Sequence, residues 1–492
     1  MRPALQPLHD AAATRELEHL AAERLGIASY ELMERAGAAV YRCLRARWPA
    51  ARRVLVVCGA GNNGGDGYVV ARLAAADGLA VRVAMLAAPE RVRGDALLAY
   101  RAMLAAGLVP GGAAWNADDG EVLVDALLGT GLERAVTGAY AEAIARINAS
   151  GLPVLAVDVP SGIDATSGQR HGLAVQASAT LSLVTLKQGL VTGDAPAHTG
   201  ELLWDGIDLP PACLAEIAPG AWAVDHAGHR ALFAPRSRTA HKGHHGHVLV
   251  LGGAPGYAGA ARMAAEAAAR VGAGLVTLAT HPSHAAASAA QRPEIMCHGV
   301  ADAADLAPLL ARATVVAVGP GLAQGDWSRR LWAAVRETHL MQVVDADGLN
   351  LLAADPDTHP RRILTPHPGE AARLLGTDTA AIHRDRYAAA RALAARYGGV
   401  ALLKGAGTVV ATDGEAPRVA RGGNPGMASG GMGDVLTGVV AGLAAQGFDL
   451  LNAATAGACL HAWAADQAAA EGERGLLASD LMPHLRRGAN PP

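Results

Sequence analysis

The stretch VLVVCGAGNNGGDG at residues 54–67 indicates the fold of the first half of the chain. A continuous apolar run is typical of a strand buried on both faces, and the glycines after it permit a tight turn into a helix. The N-terminus of such a helix attracts an anion. Asn62, Asn63 and Asp66 add amide and carboxylate groups that the simple dinucleotide-binding fingerprint lacks. A tight turn with Asn and Asp caps is the alternative, but the pattern favours a ligand-binding loop.

Similar apolar runs, each followed by a loop and an Ala-rich helix, recur along the chain. Examples of the predicted strands are residues 54–57, 122–124, 154–157, 248–251, 315–318, 342–344 and 401–403. This alternation predicts parallel α/β sheets covered on both faces, with ligands at the carboxyl ends of the strands. A proline-punctuated segment near residues 210–235 separates two such series, so we expect one domain at residues 1–215 and another at 225–492.

The composition sets further bounds on the class of protein. Of the 492 residues, 51% are hydrophobic and 18% are charged, which suffices for more than one core. A formal net charge of −3 gives no global attraction to nucleic acid or to an anionic membrane. The five cysteines form no C-x-x-C pair, which argues against a disulfide framework and a structural zinc site. We recognise neither a signal peptide nor a membrane span, and therefore expect a cytoplasmic protein.

Two acidic residues follow predicted strands in the first half. Asp125 and Asp158 each end an apolar run, and Ser161 follows three residues after Asp158. An acid at this position can be only a helix cap or turn former. Together with Asn63, however, these residues are expected at one rim of the sheet, where hard oxygen ligands suit a monovalent or hard divalent cation. Asp158 then remains as a candidate acid or base.

Four motifs of the first half resemble the NAD(P)H-hydrate epimerase domain, over most of residues 10–215. They are the loop at 59–67, DALLGTGL at 125–132, DVPSGID at 158–164 and LKQGL at 186–190. The resemblance implies a Rossmann-like three-layer α/β/α fold, a catalytic role for Asp158, and a potassium ion held by Asn63, Asp125 and Ser161. The residues it implies at the hydrated dinucleotide are Asn62, Asn63, Gly64, Gly65, Asp66, Gly129, Thr130, Gly131, Leu132, Glu133, Arg134, Ala135 and Asp158.

The stretch GNPGMASGGMGDVLTG at residues 423–438 is the most informative part of the second half. Its glycines precede an apolar helix, whose first backbone N–H groups lack intrahelical partners and can bind an anion. Asp434 at the helix start places a carboxylate beside that anion, as a phosphoryl-transfer enzyme requires. The alternative is an ordinary capped helix after a flexible loop. Nearby motifs put His367 in a rigid turn between two prolines and Lys404 in a glycine-containing loop.

The segment GGMGD at 430–434 is similar to the anion-hole motif of ribokinase-like kinases. Together with HKGHHGHVLV at 241–250, TPHPGE at 365–370 and KGAGT at 404–408, it resembles the NAD(P)H-hydrate dehydratase domain over about 236–490. The resemblance implies a ribokinase-like α/β fold, ADP or ATP as co-substrate, a magnesium ion, and Asp434 as the base that activates the substrate hydroxyl. It implies Ala258, Gly321, His367 and Asp434 at the hydrated dinucleotide, and Lys404, Gly405, Ala406, Gly407, Thr408 and Gly433 at the adenine nucleotide.

Two features depart from that pattern. The family's G-P-G-L-G reads GPGLA at 319–323, so Ala323 replaces a glycine. The His-rich turn at 241–247 could chelate a metal, although a hydrogen-bonded loop around Lys242 is the favoured interpretation.

The combined prediction is a homo-oligomeric, bifunctional repair enzyme for hydrated NADH and NADPH. Its first domain would interconvert the R and S hydrates, and its second would dehydrate the S form at the expense of ADP or ATP. No nucleic-acid or membrane partner is expected. One alternative is a ribokinase-like kinase of a small alcohol with a regulatory first domain. Another is a first domain that only binds, as in related scaffold proteins of RNA decay.

Overall fold

A computed structural model describes residues 4–490, which divide into two compact units. One unit comprises residues 7–221, and the other comprises residues 222–490 together with residues 4–6. The division falls in the interval between the two predicted domains. The backbone N–H of Ala4 donates to the carbonyl oxygen of Gly228 at 2.9 Å, which explains why the first described residues group with the second unit. The assignment of one activity to each predicted range stays a prediction.

The first half of the chain forms a parallel six-stranded sheet. The short strand β1 (Gln6–Leu8) precedes this sheet along the chain and is not part of it. The six strands of the sheet are β2 (Arg53–Cys58), β3 (Ala80–Met85), β4 (Val122–Ala126), β5 (Val154–Val157), β6 (Ala179–Leu183) and β7 (Glu201–Asp205). Its helices are α1 (Ala11–Leu25), α2 (Ser29–Arg47), α3 (Asn62–Ala76), α4 (Gly94–Ala105), α5 (Gly138–Ala149) and α6 (Pro211–Leu214). The sheet order is β3-β2-β4-β5-β6-β7, with every neighbouring pair parallel.

Strand β2 shows why helices cover both faces of this sheet. Val54 and Val56 pack into one core with α1 to α4, whereas Leu55 and Val57 pack into another with α5. Successive side chains of a strand point to opposite faces, so the uninterrupted apolar run fills two cores. The predicted three-layer α/β/α arrangement of the first half is confirmed.

The second half is built on a larger, mostly parallel sheet. Its strands are β8 (Ala221–Val224), β9 (His247–Leu251), β10 (Leu275–Thr280), β11 (Met296–Gly299), β12 (Val315–Val318), β13 (Met341–Val344), β14 (Arg362–Leu364), β15 (Val400–Leu403), β16 (Thr408–Thr412) and β17 (Arg418–Ala420). Its helices are α7 (His226–His229), α8 (Ala258–Arg270), α9 (Ala285–Gln291), α10 (Ala303–Leu310), α11 (Asp326–Arg336), α12 (Ala346–Ala354), α13 (Pro368–Leu375), α14 (Thr379–Arg384), α15 (Arg386–Tyr397), α16 (Met432–Ala445), α17 (Leu450–Ala468) and α18 (Leu481–Gly488).

The order of these strands is β8-β17-β16-β15-β14-β13-β12-β9-β10-β11. The seven predicted strands are all present, but the expectation of a purely parallel sheet is wrong at β16, which runs antiparallel to β15 and β17. Only four residues separate β15 from β16, and a parallel crossover needs about a dozen or more.

Helices α8 and α16 cover one face of this sheet and pack closely together. A Cβ atom on Gly438 of α16 would lie 2.0 Å from the carbonyl oxygen of Ala264 in α8, so this contact requires glycine. The close pair brings the start of α16, with Asp434 in its first turn, to a defined position over the sheet. Within residues 4–490, no helix has both the length and the apolar character that a membrane span requires.

Candidate active sites

The first site lies where the loops after β2 and β4 meet at the carboxyl edge of the sheet. A Cβ atom on Gly59 would lie 2.0 Å from the carbonyl oxygen of Leu127, and one on Gly129 would lie 3.3 Å from Cβ of Asn63. The predicted segments 62–66 and 129–135 are therefore adjacent where they begin. Gly64 and Gly65 are buried, whereas Asn62, Gly131, Glu133, Arg134 and Ala135 are exposed to a potential ligand.

A cluster of oxygen atoms joins the three predicted metal ligands. The buried carboxylate of Asp125 accepts hydrogen bonds from Oγ of Ser161 at 2.6 Å and from its backbone N–H at 2.8 Å. The backbone of Leu128 connects this pair to Asn63, because its N–H donates to Ser161 Oγ at 2.9 Å and its carbonyl accepts from Asn63 Nδ2 at 3.1 Å. Asn63, Asp125 and Ser161 are thus brought together around one peptide.

The charge balance of this cluster fits a bound cation. Burial raises the pKa of Asp125 to about 6, and hydrogen bonds from Ser161 and Leu127 oppose that rise. No lysine or arginine of the described chain forms an ion pair with Asp125. A buried carboxylate is stabilised by a paired charge, and carboxylate, hydroxyl and amide oxygens are hard ligands. The chemistry of the donor set therefore suits a hard monovalent or divalent cation.

Asp158 follows β5 in a left-handed backbone conformation with φ of 65°. Its Oδ1 accepts a hydrogen bond from the backbone N–H of Leu183 at 2.9 Å and forms an ion pair with Nζ of Lys187, whose side chain is 1% exposed. Burial raises the pKa of Asp66 well above its ordinary value, and the charges of Asp158 and Glu18 add to the effect. Four ionisable side chains, those of Asp66, Asp158, Lys187 and Glu18, are thus close enough to affect one another in this site.

Lys187 and Glu18 were not among the predicted site residues. Lys187 lies inside the LKQGL motif, but the sequence does not show that it pairs with Asp158, which is 29 residues away along the chain. Glu18 lies in α1, far from any quoted motif, and the sequence carries no signal that would have identified it.

The second site is centred on Asp345, a residue that the sequence analysis did not select. Its carboxylate follows β13, is buried, and accepts hydrogen bonds from Nζ of Lys404 at 2.7 Å and from Oγ1 of Thr437 at 2.8 Å. Glu370 Oε2 lies 3.8 Å from the same Nζ. Asp345 comes at the end of an apolar strand, as Asp125 does, and this position in the sequence could have identified Asp345 as a candidate site residue.

Asp434 lies beside this cluster in the first turn of α16. Burial raises the pKa of Asp434 to about 7; the charge of Asp345 adds to the rise and that of Lys404 opposes it. A Cβ atom on Gly433 would lie 3.3 Å from Nζ of Lys404, so the predicted base and the predicted nucleotide loop are neighbours. A carboxyl group with a pKa near neutrality is suited to act as a general base.

His367 has a local structural function. Its Nδ1 accepts the backbone N–H of Gly369 at 3.0 Å, and Glu370 Oε2 accepts the backbone N–H of His367 at 2.8 Å, which forms a capping box at the start of α13. The imidazole is 56% exposed, and its Nε2 lies 3.5 Å from Glu370 Oε1. The predicted rigid turn is present, and the ring lies at the surface.

The loops after β9 and β12 also come together. Gly321 has φ of 59°, and a Cβ atom there would lie 2.6 Å from the carbonyl oxygen of Tyr257, next to Ala258 at the start of α8. Ala258 and Gly321 are therefore neighbours. Ala323, which departs from the family pattern, also has a left-handed conformation, with φ of 58°.

The His-rich turn is stabilised by its own contacts. The rings of His241 and His244 lie 3.7 Å apart, and His241 Nδ1 accepts the N–H of Gly243 at 3.2 Å. Across residues 4–490, no three His, Cys, Asp or Glu side chains form a group that could hold a metal ion. These observations favour a hydrogen-bonded loop over a chelate.

Comparisons with known proteins agree with both halves. A family model described as YjeF-related protein N-terminus matches residues 29–189, and one described as NAD(P)H-hydrate dehydratase matches residues 248–487. The bifunctional NAD(P)H-hydrate repair enzyme Nnr of Coxiella burnetii is 51% identical, covering 97% of this chain and 98% of that protein. Its namesake in Escherichia coli is 44% identical, covering 97% and 93% respectively.

A solved structure supports the fold of the second half. The ribokinase-like superfamily protein from Enterococcus faecalis is 26% identical, with a TM-score of 0.51, and covers 56% of this chain and 98% of that chain. The ribokinase-like prediction for the second half is confirmed.

Proposed function

This chain belongs to the family of bifunctional NAD(P)H-hydrate repair enzymes, and we propose from that premise that it restores hydrated NADH and NADPH in two steps. The first unit interconverts the R and S hydrates, and the second dehydrates the S form with ADP or ATP. The observation that carries the proposal is the presence of two acid-bearing sites in one chain, Asp158 with Lys187 and Asp434 with Asp345. A homo-oligomeric, cytoplasmic enzyme remains part of the proposal.

The first site has the groups that an epimerase needs. The hydroxyl of the hydrate lies on a carbon beside a ring nitrogen, so its protonation and loss as water leave a stabilised planar cation, and water that returns to the opposite face inverts the centre. Asp158 would transfer the proton through Oδ2, which has no hydrogen-bond partner among the described residues, while Lys187 and the N–H of Leu183 hold Oδ1. Oxygen-18 from solvent water must then enter the hydrate during epimerisation, and its absence would exclude this route.

A potassium ion would bind between Asn63, Asp125 and Ser161. It would supply the positive charge that the buried Asp125 lacks, and it would fix the loops after β2, β4 and β5 relative to one another. Those loops carry Asp158 and the other residues predicted to bind the hydrate.

The second site has the groups that a nucleotide-dependent dehydratase needs. Transfer of a phosphoryl group from the nucleotide to the hydroxyl makes a better leaving group, and its loss as phosphate, together with a proton from the neighbouring carbon, restores the dihydronicotinamide ring. The first N–H groups of α16 would bind the phosphoryl group, and Asp434 would remove the hydroxyl proton. Asp345 positions these parts, because it connects Lys404 to Thr437 on α16.

Among the described residues, no three His, Cys, Asp or Glu side chains lie close enough together to hold a magnesium ion. Magnesium that arrives with the nucleotide needs only one or two carboxylates, since phosphate and water oxygens complete its shell. The residues present therefore fit a nucleotide-borne ion and not an ion held by the protein alone.

Substitution of Asp434 tests the assignment of the second site. Asp434→Asn should lower the dehydration rate by about 100-fold or more, because general-base catalysis is lost. Epimerisation should be unchanged, which serves as the internal control for folding of the first unit. Near-normal dehydration by a folded variant would reject the role, and accumulation of a stable phosphorylated product would instead favour a small-alcohol kinase.

A further inference from the structure

A buried arginine lies directly beneath the predicted nucleotide loop. Arg386, the first residue of α15, is 1% exposed, and its Nη2 donates to the carbonyl oxygens of Leu403 and Lys404 at 3.2 Å and of Gly407 at 3.5 Å. One guanidinium group therefore contacts both ends of the turn between β15 and β16. Burial lowers the pKa of Arg386 to about 10, which leaves the group cationic at neutral pH.

The shape of the turn depends on this contact. Gly405 has φ of 146°, a conformation that residues with a Cβ rarely adopt, and a Cβ atom there would lie 2.8 Å from Nη2 of Arg386. Glycine thus lets the backbone rest on the guanidinium. The outer side of Gly405 and Ala406 remains exposed, where a ligand can reach it.

The helix that carries Arg386 is itself fixed at both ends. Asp385 caps it by accepting the N–H of Ala388 at 2.9 Å. At its other end, the hydroxyl of Tyr397 donates to the carbonyl of Leu374 in α13 at 2.7 Å. The arginine is therefore presented to the turn from a rigid support, as preorganisation of a binding loop requires.

We propose that Arg386 is a positioning residue for nucleotide binding, which holds the turn at 404–407 in the conformation that receives ADP or ATP. The inference rests on the proposed assignment of Lys404 to Thr408 to the adenine nucleotide. It predicts that loss of the guanidinium weakens nucleotide binding specifically, whereas a merely structural arginine would affect stability alone.

The test compares Arg386→Met and Arg386→Lys in the full chain with the wild type. The dissociation constant for ADP is measured by calorimetry, and the KM values for ADP and for the S hydrate are measured separately. We expect Arg386→Met to raise the ADP constant by about tenfold or more, because hydrogen bonds from a charged donor are lost, while the KM for the hydrate changes by less than about threefold. Arg386→Lys should be intermediate, since lysine keeps the positive charge but lacks the planar guanidinium whose Nη2 reaches the carbonyls at both ends of the turn.

Arg362 provides a matched control. It is the first residue of β14 and is also completely buried. Its partners lie away from the nucleotide loop, because it donates to Gln342 Oε1 at 3.0 Å and to Asp357 Oδ1 at 2.6 Å. Arg362→Met removes an equally buried cation, so it should lower the unfolding temperature without changing the ADP constant by more than about twofold.

Gly405→Ala covers the case in which Arg386→Met does not fold. Its Cβ would push the turn away from the guanidinium, and we expect the same specific loss of ADP affinity. The inference is overturned if folded Arg386→Lys and Gly405→Ala bind ADP as the wild type does, or if Arg362→Met weakens ADP binding equally. If the wild type neither binds nor uses ADP or ATP, the proposed nucleotide assignment fails, and this inference fails with it.

Discussion

At the scale of single residues, Ala323 is a position where the backbone bears strain. A left-handed conformation is unfavourable by about 1–2 kcal/mol for a residue with a Cβ atom. With φ of 58°, Ala323 should therefore become more favourable as glycine. We expect Ala323→Gly to raise the free energy of unfolding by about 1 kcal/mol in urea titrations, after the larger entropy of unfolded glycine is subtracted.

The control is an alanine in ordinary helical conformation. Ala307 is exposed in α10, and Ala307→Gly should lower the free energy of unfolding by about 1 kcal/mol. If Ala323→Gly destabilises the chain as much as Ala307→Gly does, the strain at Ala323 is not real.

The pKa of Asp434 predicts a pH dependence of dehydration. Because burial and Asp345 raise that pKa to about 7, the carboxyl group is neutral below this pH and ionised above it. A base must be ionised, so kcat/KM for dehydration should rise with pH through about 7 and then level off. In Asp345→Asn, the negative charge that raises the pKa is absent, and the rising limb should move to lower pH. A profile that is flat across neutrality would contradict the assignment of the base.

The sequence is informative about single residues where the local pattern determines their position. Asp125 and Asp158 end strands and Asp434 begins a helix, so their places at the site rim follow from the local pattern alone. Lys187, Glu18 and Arg386 could not be found in this way. Their relevance depends on partners such as Asp158 and the turn after β15, which only the folded chain brings close.

At the scale of elements, the contact between α8 and α16 gives a stability prediction. Gly438→Ala would place Cβ 2.0 Å from the carbonyl of Ala264, so the helices must separate, and overpacking of this kind typically lowers the free energy of unfolding by about 1–3 kcal/mol. Gly259→Ala on α8 is the control, because its Cβ would meet no atom within 4 Å. We expect Gly259→Ala to be neutral or stabilising in thermal unfolding. Equal stability of the two variants would show that the close approach is unimportant.

The elements themselves were largely predictable because buried parallel strands are continuous apolar runs. The predicted strand at 122–124 extends to Ala126, and the one at 54–57 extends from Arg53 to Cys58. Strand β16 was not predicted, because the four residues that connect it to β15 were interpreted as part of a ligand-binding loop and not as a hairpin turn.

At the scale of the whole molecule, the cation site should couple stability to potassium and pH. Asp125 has a pKa of about 6 in the folded chain, above the value of about 4 typical of an unfolded one. Its ionisation therefore destabilises the fold as pH rises from about 4 through 6, and a bound cation should offset that loss. The increase in unfolding temperature on replacing tetramethylammonium chloride by potassium chloride should be larger at pH 8 than at pH 5.

Asp125→Asn separates this effect from general salt stabilisation. The variant has no charge at the site, so both the potassium increment and its pH dependence should disappear. An increment that persists in Asp125→Asn, or that is the same at both pH values, would place the potassium effect elsewhere.

The division into two units was foreseeable from the restart of strand-loop-helix repeats after the proline-rich segment. The grouping of residues 4–6 with the second unit was not, because it depends on a backbone hydrogen bond to Gly228, more than two hundred residues away.

The central claim is that one chain consumes both epimers of a hydrated dinucleotide. The most direct measurement incubates the full chain with a mixture of the R and S hydrates and with ADP or ATP, and follows recovery of the reduced dinucleotide. The wild type should recover all of it, Asp158→Ala only the S share at short times, and Asp434→Asn almost none. Recovery of only one epimer's share by the wild type, after correction for spontaneous epimerisation, would contradict the account.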